Sequence, residues 1–423
     1  MKKAVCFIVA SLCMVVFLFG CTGAASMRNV MMLNTVAERT EKDKVLPNDE
    51  VFSLYNAFSY DFFRIFNEEK ANDNVCLSPF SAYMAFAMCY MGAEGNTASE
   101  FEKVFGMNKS ASASFGKEMY DYILQRKISD KSTKINLANS VWLDKKYAAN
   151  VKDSYLETVS GYFNAPVFAS DFSDRNTVNA INYWCKENTD GLIKEIIEKL
   201  DKNQFIAIIN ALLLETAWES VYQNSDIVKD EFKNLNGEKS TATYLSKEIG
   251  KFFETDGMKA IEMTLRDGFS FIGILPDEDV PFETFCKGLT GQKFEELMKN
   301  GNRDYRVRTK IPTFTTDSTF DLIDGMKKLG IESAFNNNTA NFSSMATFGD
   351  GNVYLSEAIQ KTHFELDKTG IKAAAVTYIA GKFDSAIEDM RPIVNIYLDR
   401  PFVYVIADTE TKLPLFIGAV KGL

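Results

Sequence analysis

Residues 205–214 read FIAIINALLL, with a single polar side chain, Asn210. A run this continuously apolar is the pattern of a strand buried on both faces, because one solvated face would demand alternation. Such a strand belongs inside a sheet with packed layers on either side, and that takes a large domain. The chain has the length: about 375 residues follow position 48 without a Pro/Gly/Ser-rich break or an internal repeat. Length alone suggests two domains or more. The missing linker favours one, spanning residues 49–423.

The first half of that domain reads as mostly helical. Val51, Leu54, Tyr55, Phe58, Phe62, Ile65 and Phe66 fall at helical spacing and give one apolar face. Ser78-Pro79 reads as an N-cap followed by proline at the first helical position, with Met84, Ala87, Met88 and Met91 along the same face. A methionine stripe of this kind is core packing. The second half is rich in strands: residues 306–311 alternate, residues 353–366 are extended in character, and residues 393–408 supply two strands interrupted at Pro401. A helix is expected over residues 321–329, before Gly330. The fold class is therefore α+β, with a mostly helical N-terminal half packed on a large mixed sheet.

Residues 1–20 form a signal peptide, in which Lys2 and Lys3 precede an apolar run too short to cross a bilayer. Leu18-Phe19-Gly20-Cys21 resembles the bacterial lipoprotein cleavage box, which makes Cys21 the lipidated first residue of the mature chain. That implies a lipid anchor in a bacterial cell envelope, periplasmic or surface-exposed, with plain secretion as the alternative. Residues 21–48 are polar, lack a sustained apolar period, and read as a tether. Losing residues 1–20 removes two lysines and no acids, so net charge moves from −10 to −12. No basic stripe is available to follow phosphates, and nucleic acid is excluded as a partner. Cys76, Cys89, Cys185 and Cys286 are widely spaced in apolar company and read as buried thiols.

Catalytic patterns are missing. The one histidine, His363, lies in an expected strand, and no G-x-S-x-G elbow presents a serine to it. Neither H-E-x-x-H, a paired C-x-x-C, a Walker loop nor G-x-G-x-x-G occurs, so no metal or cofactor is expected. The acidic pair Glu187 and Asp190 reads as exposed helix charge. An enzyme of this sequence would have no visible mechanism.

Residues 367–391, DKTGIKAAAVTYIAGKFDSAIEDMR, combine two characters. Ala373-Ala374-Ala375-Val376-Thr377 is small and β-branched, fit for a sheet interior. Gly370, Gly381, Lys382, Asp384 and Glu388 belong to an exposed loop. Asn74-Val75-Cys76-Leu77-Ser78-Pro79-Phe80-Ser81, the group Asn182, Trp184, Thr189, Gly191 and Ile193, and the segment from Asn210 to Trp218-Glu219 then resemble the serpin family. Ile311-Pro312-Thr313-Phe314, Leu329-Gly330-Ile331, Ala334-Phe335, Asn341-Phe342-Ser343, Asp399-Arg400-Pro401-Phe402 and Pro414-Leu415-Phe416-Ile417-Gly418 follow in the family's order. The resemblance covers about residues 50–423.

The resemblance implies a serpin fold in which residues 367–392 are the reactive loop. It implies a monomeric suicide-substrate inhibitor of serine and also cysteine proteases, of host or bacterial origin. Cleavage of the loop, its insertion into the main sheet and covalent trapping of the protease are the expected steps. The hinge would comprise Gly370, Ile371, Ala373, Ala374, Ala375, Val376 and Thr377, small where strands must part. Ile371, Lys368 and Lys372 depart from the family pattern, which keeps a non-inhibitory binding or chaperone-like role as the alternative. Ser78, Ser81, Asn210, Trp218 and Gln360 would form the sheet-opening region, with Gln360 at a position usually held by histidine and Glu215 in place of a common lysine. Counting forward from Gly370 puts the scissile bond at Asp384-Ser385, next to Lys382 and Phe383. Counting back from Pro401 puts it near Met390-Arg391. The forward count is preferred, because inserted length decides how far the protease is carried.

Overall fold

The computed structural model describes residues 27–36, 47–127, 133–200, 206–347, 353–371 and 389–423. The expected tether contributes an element of its own, β1 (Met31–Met32), which pairs antiparallel with Ala169 and Phe168 at the edge of the main sheet. Val30, Met31, Met32 and Leu33 give this segment enough apolar character to dock. Asn34 fixes it by accepting the Val167 N–H at 2.7 Å and donating to the Ala165 carbonyl at 3.0 Å. Residues 27–36 are thus part of the folded domain, and a tether reading of the whole 21–48 segment does not describe them.

Asn48 accepts the Val51 N–H at 3.0 Å and starts α1 (Asp49–Glu69), with Asp49 and Glu50 in the first turn where carboxylates meet the positive end of the helix. Tyr55, Phe58, Phe62 and Phe66 bury its apolar stripe. β2 (Val75–Leu77) leads into α2 (Pro79–Gly92), whose every residue is buried, methionines included. Next come α3 (Gly95–Phe105), α4 (Lys109–Lys127), β3 (Thr133–Asp144), α5 (Asp153–Phe163), β4 (Val167–Ser170), α6 (Arg175–Asn188) and β5 (Ile206–Ala217). The strand-rich half adds β6 (Ile227–Lys233), β7 (Lys239–Ile249), β8 (Phe252–Thr255), β9 (Met258–Thr264) and β10 (Phe269–Pro276). Two short helices, α7 (Phe282–Gly288) and α8 (Gly291–Lys299), precede β11 (Gly301–Asn302), β12 (Arg306–Pro312), β13 (Phe314–Asp321) and α9 (Leu322–Leu329). The chain ends with β14 (Leu355–Leu366), β15 (Gly370–Ile371), β16 (Ile393–Tyr397), β17 (Phe402–Asp408) and β18 (Pro414–Val420).

Among the described residues three sheets result. The main sheet runs β1-β4-β3-β5-β15-β14-β13, the second β11-β8-β9-β10-β17-β18-β2, and the third β16-β12-β7-β6. The inner face of the main sheet packs with α1, α2 and the second sheet into one large core. On its outer face a smaller cluster joins Trp142, Phe168, Ala207 and Ile209 to Val178, Ile181 and Cys185 of α6. The apolar run is explained: Ile206 and Ile208 of β5 face the large core, Ala207 and Ile209 the smaller one. Cys76, Cys89, Cys185 and Cys286 are free and buried, and burial above all holds their thiols above the ordinary range, Cys76, Cys185 and Cys286 at about 12.

Candidate functional site

The main sheet is parted. β5 and β14 run parallel and pair only at one end, through Leu355 with Ile206, Ala358 with Ile208 and Ile359 with Ile209. Beyond that point no rung joins them among the described residues. From the opposite end β15 enters antiparallel to both: Gly370 pairs with Ala217, and Ile371 with Thr216 on one side and Leu366 on the other. The slot in between is edged by residues 212–214 and 363–365, overlaid by Thr189, Leu192 and Ile193, and closed at its end by Ile371. Ile371 is 3% exposed. Its apolar side chain suits that position, so a threonine or serine is not required there.

A side-chain-held turn feeds β15 into the slot. Asp367 Oδ1 accepts from the Thr369 N–H at 2.6 Å and the Thr369 hydroxyl at 2.5 Å. Trp218 donates twice, from its backbone N–H to the Thr369 carbonyl at 3.0 Å and from Nε1 to the Asp367 carbonyl at 2.8 Å. Packing against Tyr222 and Phe271 fixes the indole. Gly370 is forced: its φ is +142°, and a Cβ would lie 2.2 Å from the Thr216 carbonyl oxygen and 2.7 Å from the Ala217 Cα. Only glycine combines that backbone with that approach.

The expected sheet-opening residues divide into two places. Ser81, Asn210 and Gln360 come together at the point where β5 and β14 separate, and Ser78 joins them through Gln360. Gln360 locks the backbone of Ser78 from both sides, accepting its N–H at 2.9 Å and donating to its carbonyl at 2.8 Å. Ser78 Oγ donates to the Leu415 carbonyl at 2.8 Å and accepts from the Ser81 N–H at 3.1 Å, so Ser81 enters through its backbone. An amide thus does with two ends what an imidazole would do with two nitrogens. Asn210 donates to Asn139, its rung partner on β3, leaving Asn210 Oδ1 buried without a hydrogen-bond partner among the described residues. Trp218 lies at the far end of β5, on the hinge turn. Sequence reasoning missed Asn139 and Asp367. The signal for Asn139 was an Asn-Ser pair set between Leu137-Ala138 and Val141-Trp142-Leu143 of β3, and for Asp367 an Asx-turn pattern, Asp-x-Thr-Gly.

Met390 and Arg391 sit at the root of the loop. Arg391 binds Asp389 at 3.0 and 2.6 Å and donates to the Arg303 carbonyl at 2.7 Å, while Arg306 holds the Asp389 carbonyl at 3.0 Å. Hydrogen bonding to Arg391 keeps the Asp389 carboxyl down at about 2. Cys21, Ala373, Ala374, Ala375, Val376, Thr377, Lys382, Phe383, Asp384 and Ser385 lie outside the described residues. His363 faces Asp317, with Nδ1 2.7 Å from Oδ1. Among the described residues no group of His, Cys, Asp and Glu is arranged to hold a metal.

A family model for serpins, serine protease inhibitors, matches residues 53–422. The chain belongs to the serpin family. An uncharacterised serpin-like protein of Thermococcus kodakarensis is 26% identical over 377 residues, covering 88% of this chain and 85% of that protein. Leukocyte elastase inhibitor A of Mus musculus is 25% identical over 385 residues, covering 88% and 99%. The native-state crystal structure of the thermophilic serpin tengpin superposes with a TM-score of 0.81 at 29% identity, covering 92% of this chain and 98% of that one. Serpins as a family are protease inhibitors and generally not enzymes.

Proposed function

We propose that this serpin is a suicide-substrate inhibitor of serine proteases, and of cysteine proteases whose cleft accepts the same loop. The observation that carries the reading is the slot between β5 and β14, entered at one end by Gly370 and Ile371. The protease nucleophile attacks the scissile carbonyl, the peptide C–N bond breaks, and the carbonyl stays bound as an acyl-enzyme ester or thioester. The freed loop then extends β15 down the slot, completing hydrogen-bond ladders on both sides. Continuing the register of Ile371 puts Ala373 opposite Leu214 and Phe364, Ala375 opposite Leu212 and Thr362, and Thr377 opposite Asn210 and Gln360. The Thr377 hydroxyl then meets the unpartnered Asn210 Oδ1.

Once the rungs from Leu355–Ile206 to Ile359–Ile209 part, residues 372–381 reach down to Ile206, about 33 Å at 3.3 Å per residue. A scissile bond at Asp384-Ser385 leaves three residues beyond the slot, so the acylated protease is drawn tight against the far pole. A bond at Met390-Arg391 would leave nine, a slack leash, and would require freeing Arg391 from its ties. The signal peptide and Cys21 support placing this inhibitor on a lipid anchor in a bacterial envelope, facing host or bacterial proteases.

The test is to mix the purified protein with a panel of serine and cysteine proteases and look for an SDS-stable adduct with at least one. Ala375→Glu would bury a charge among Leu212, Thr362 and the large core, so the variant should be cleaved without trapping. If every active protease digests the loop and is released, the binding or chaperone-like role replaces inhibition.

A further inference from the structure

Of residues 371–381, IKAAAVTYIAG, Lys372 alone is charged. The rung next to Ile371 is the one place in the slot lined by two acids. Alternation turns Leu214, Thr216, Phe364 and Leu366 toward the large core and Glu215 and Glu365 to the opposite face. Ile371 already sits opposite Thr216 and Leu366. The next residue of a growing strand therefore lies between Glu215 and Glu365 at once.

Neither carboxylate is fully engaged. Glu215 makes no ion pair among the described residues, and its rung neighbour on β3, Lys134, is taken up by Asp190. Glu365 has His363 Nε2 at 3.9 Å, and that imidazole is already bonded to Asp317 through Nδ1. No other residue of β5 is charged.

We propose that Glu215 and Glu365 form a seat for the Lys372 ammonium, and that seating it holds the inserting strand in the register that Ile371 begins. This rests on the loop-insertion reading above. A slip of one residue would turn Lys372 inward against Leu214 and Phe364, where an unpaired ammonium is costly. A slip of two would place it between Leu213 and His363, with no carboxylate on its own rung.

The experiment compares four full-length proteins: wild type, Lys372→Glu, the double variant Glu215→Lys with Glu365→Lys, and the triple variant combining them. Each reacts with chymotrypsin, and the ratio of cleaved free inhibitor to SDS-stable adduct reports insertion against deacylation. Thermal midpoints of the uncleaved proteins check that the folds are equal. Turning a partly screened attraction into repulsion should raise the ratio about tenfold in Lys372→Glu and in the double variant. The triple variant should return to within about twofold of wild type. Equal ratios in all four, or a triple variant no better than the double, would overturn the seat while leaving insertion intact. A wild type that neither forms adduct nor gains stability on nicking would remove insertion, and the seat with it.

Discussion

Gly370→Ala places one methyl group where the structure has no room for it. The new Cβ would stand 2.2 Å from the Thr216 carbonyl oxygen and 2.7 Å from the Ala217 Cα, both backbone atoms that cannot swing aside. The φ of +142° adds strain of about 1–3 kcal/mol for a non-glycine residue, before any overlap is counted. Against this, the docked hinge is held by burial of Ile371, about 1.5–3 kcal/mol, and by a few hydrogen bonds at about 1 kcal/mol each. Ordering three residues costs about 1–2 kcal/mol apiece, so the net hold is small. Strain and overlap together exceed it, and β15 should leave the slot. The Trp218 N–H would lose the Thr369 carbonyl and Trp218 Nε1 the Asp367 carbonyl. Hydrogen exchange at both groups should accelerate by about tenfold or more, with α1 and the second sheet unaffected. Unchanged protection at Trp218 would refute the docked hinge and the steric argument with it.

Four further outcomes are expected. Mass spectrometry of the fragment released from a protease adduct should give a C-terminal peptide beginning at Phe383, Asp384 or Ser385; one beginning at Arg391 or Pro392 would overturn the argument from slot length. Asn34→Ala removes both bonds that fasten β1 to the sheet edge and should lower stability by about 1–2 kcal/mol in urea unfolding, with no change if residues 27–36 hang free. Stability should fall as pH rises above about 9, because thiols ionise in the unfolded chain near their ordinary pKa while burial keeps Cys76, Cys185 and Cys286 protonated to about 12. Lys421, pushed down to about 8 by burial, works in the opposite direction between about pH 8 and 10.5, so Lys421→Met should steepen the alkaline loss.

Much of the architecture was legible because it rests on local patterns. Ser78 announces a helix start through its side-chain cap, and the helical spacing from Val51 to Phe66 predicts the buried stripe of α1. Continuous apolarity in residues 205–214 signals a strand with a core on each side, which is what Ile208 and Ile209 occupy. Long-range pairings left no such trace. Asn139 meets Asn210 across 71 positions, and nothing local to either says which partner it finds. β1 escaped notice because an edge strand of two residues needs only a few apolar side chains and one well-placed asparagine, too little for a period. The hinge showed its small residues, yet its depth in the sheet depends on Gly370 fitting against Ala217, a contact visible only once both strands are in place. The grouping of Trp218 with Ser78 and Gln360 failed for the same reason: β5 is long enough to carry two sites at its opposite ends.

The central claim is that the sheet is incomplete and that the loop completes it. The direct measurement is the thermal unfolding midpoint of the intact protein against that of the same protein nicked once within residues 381–390. Adding ladder bonds along both β5 and β14 and burying the inward rungs should raise the midpoint sharply, by tens of degrees at roughly 4 °C or less per kcal/mol for a domain of this size. A midpoint that stays the same or falls after nicking would mean that the loop does not enter the slot.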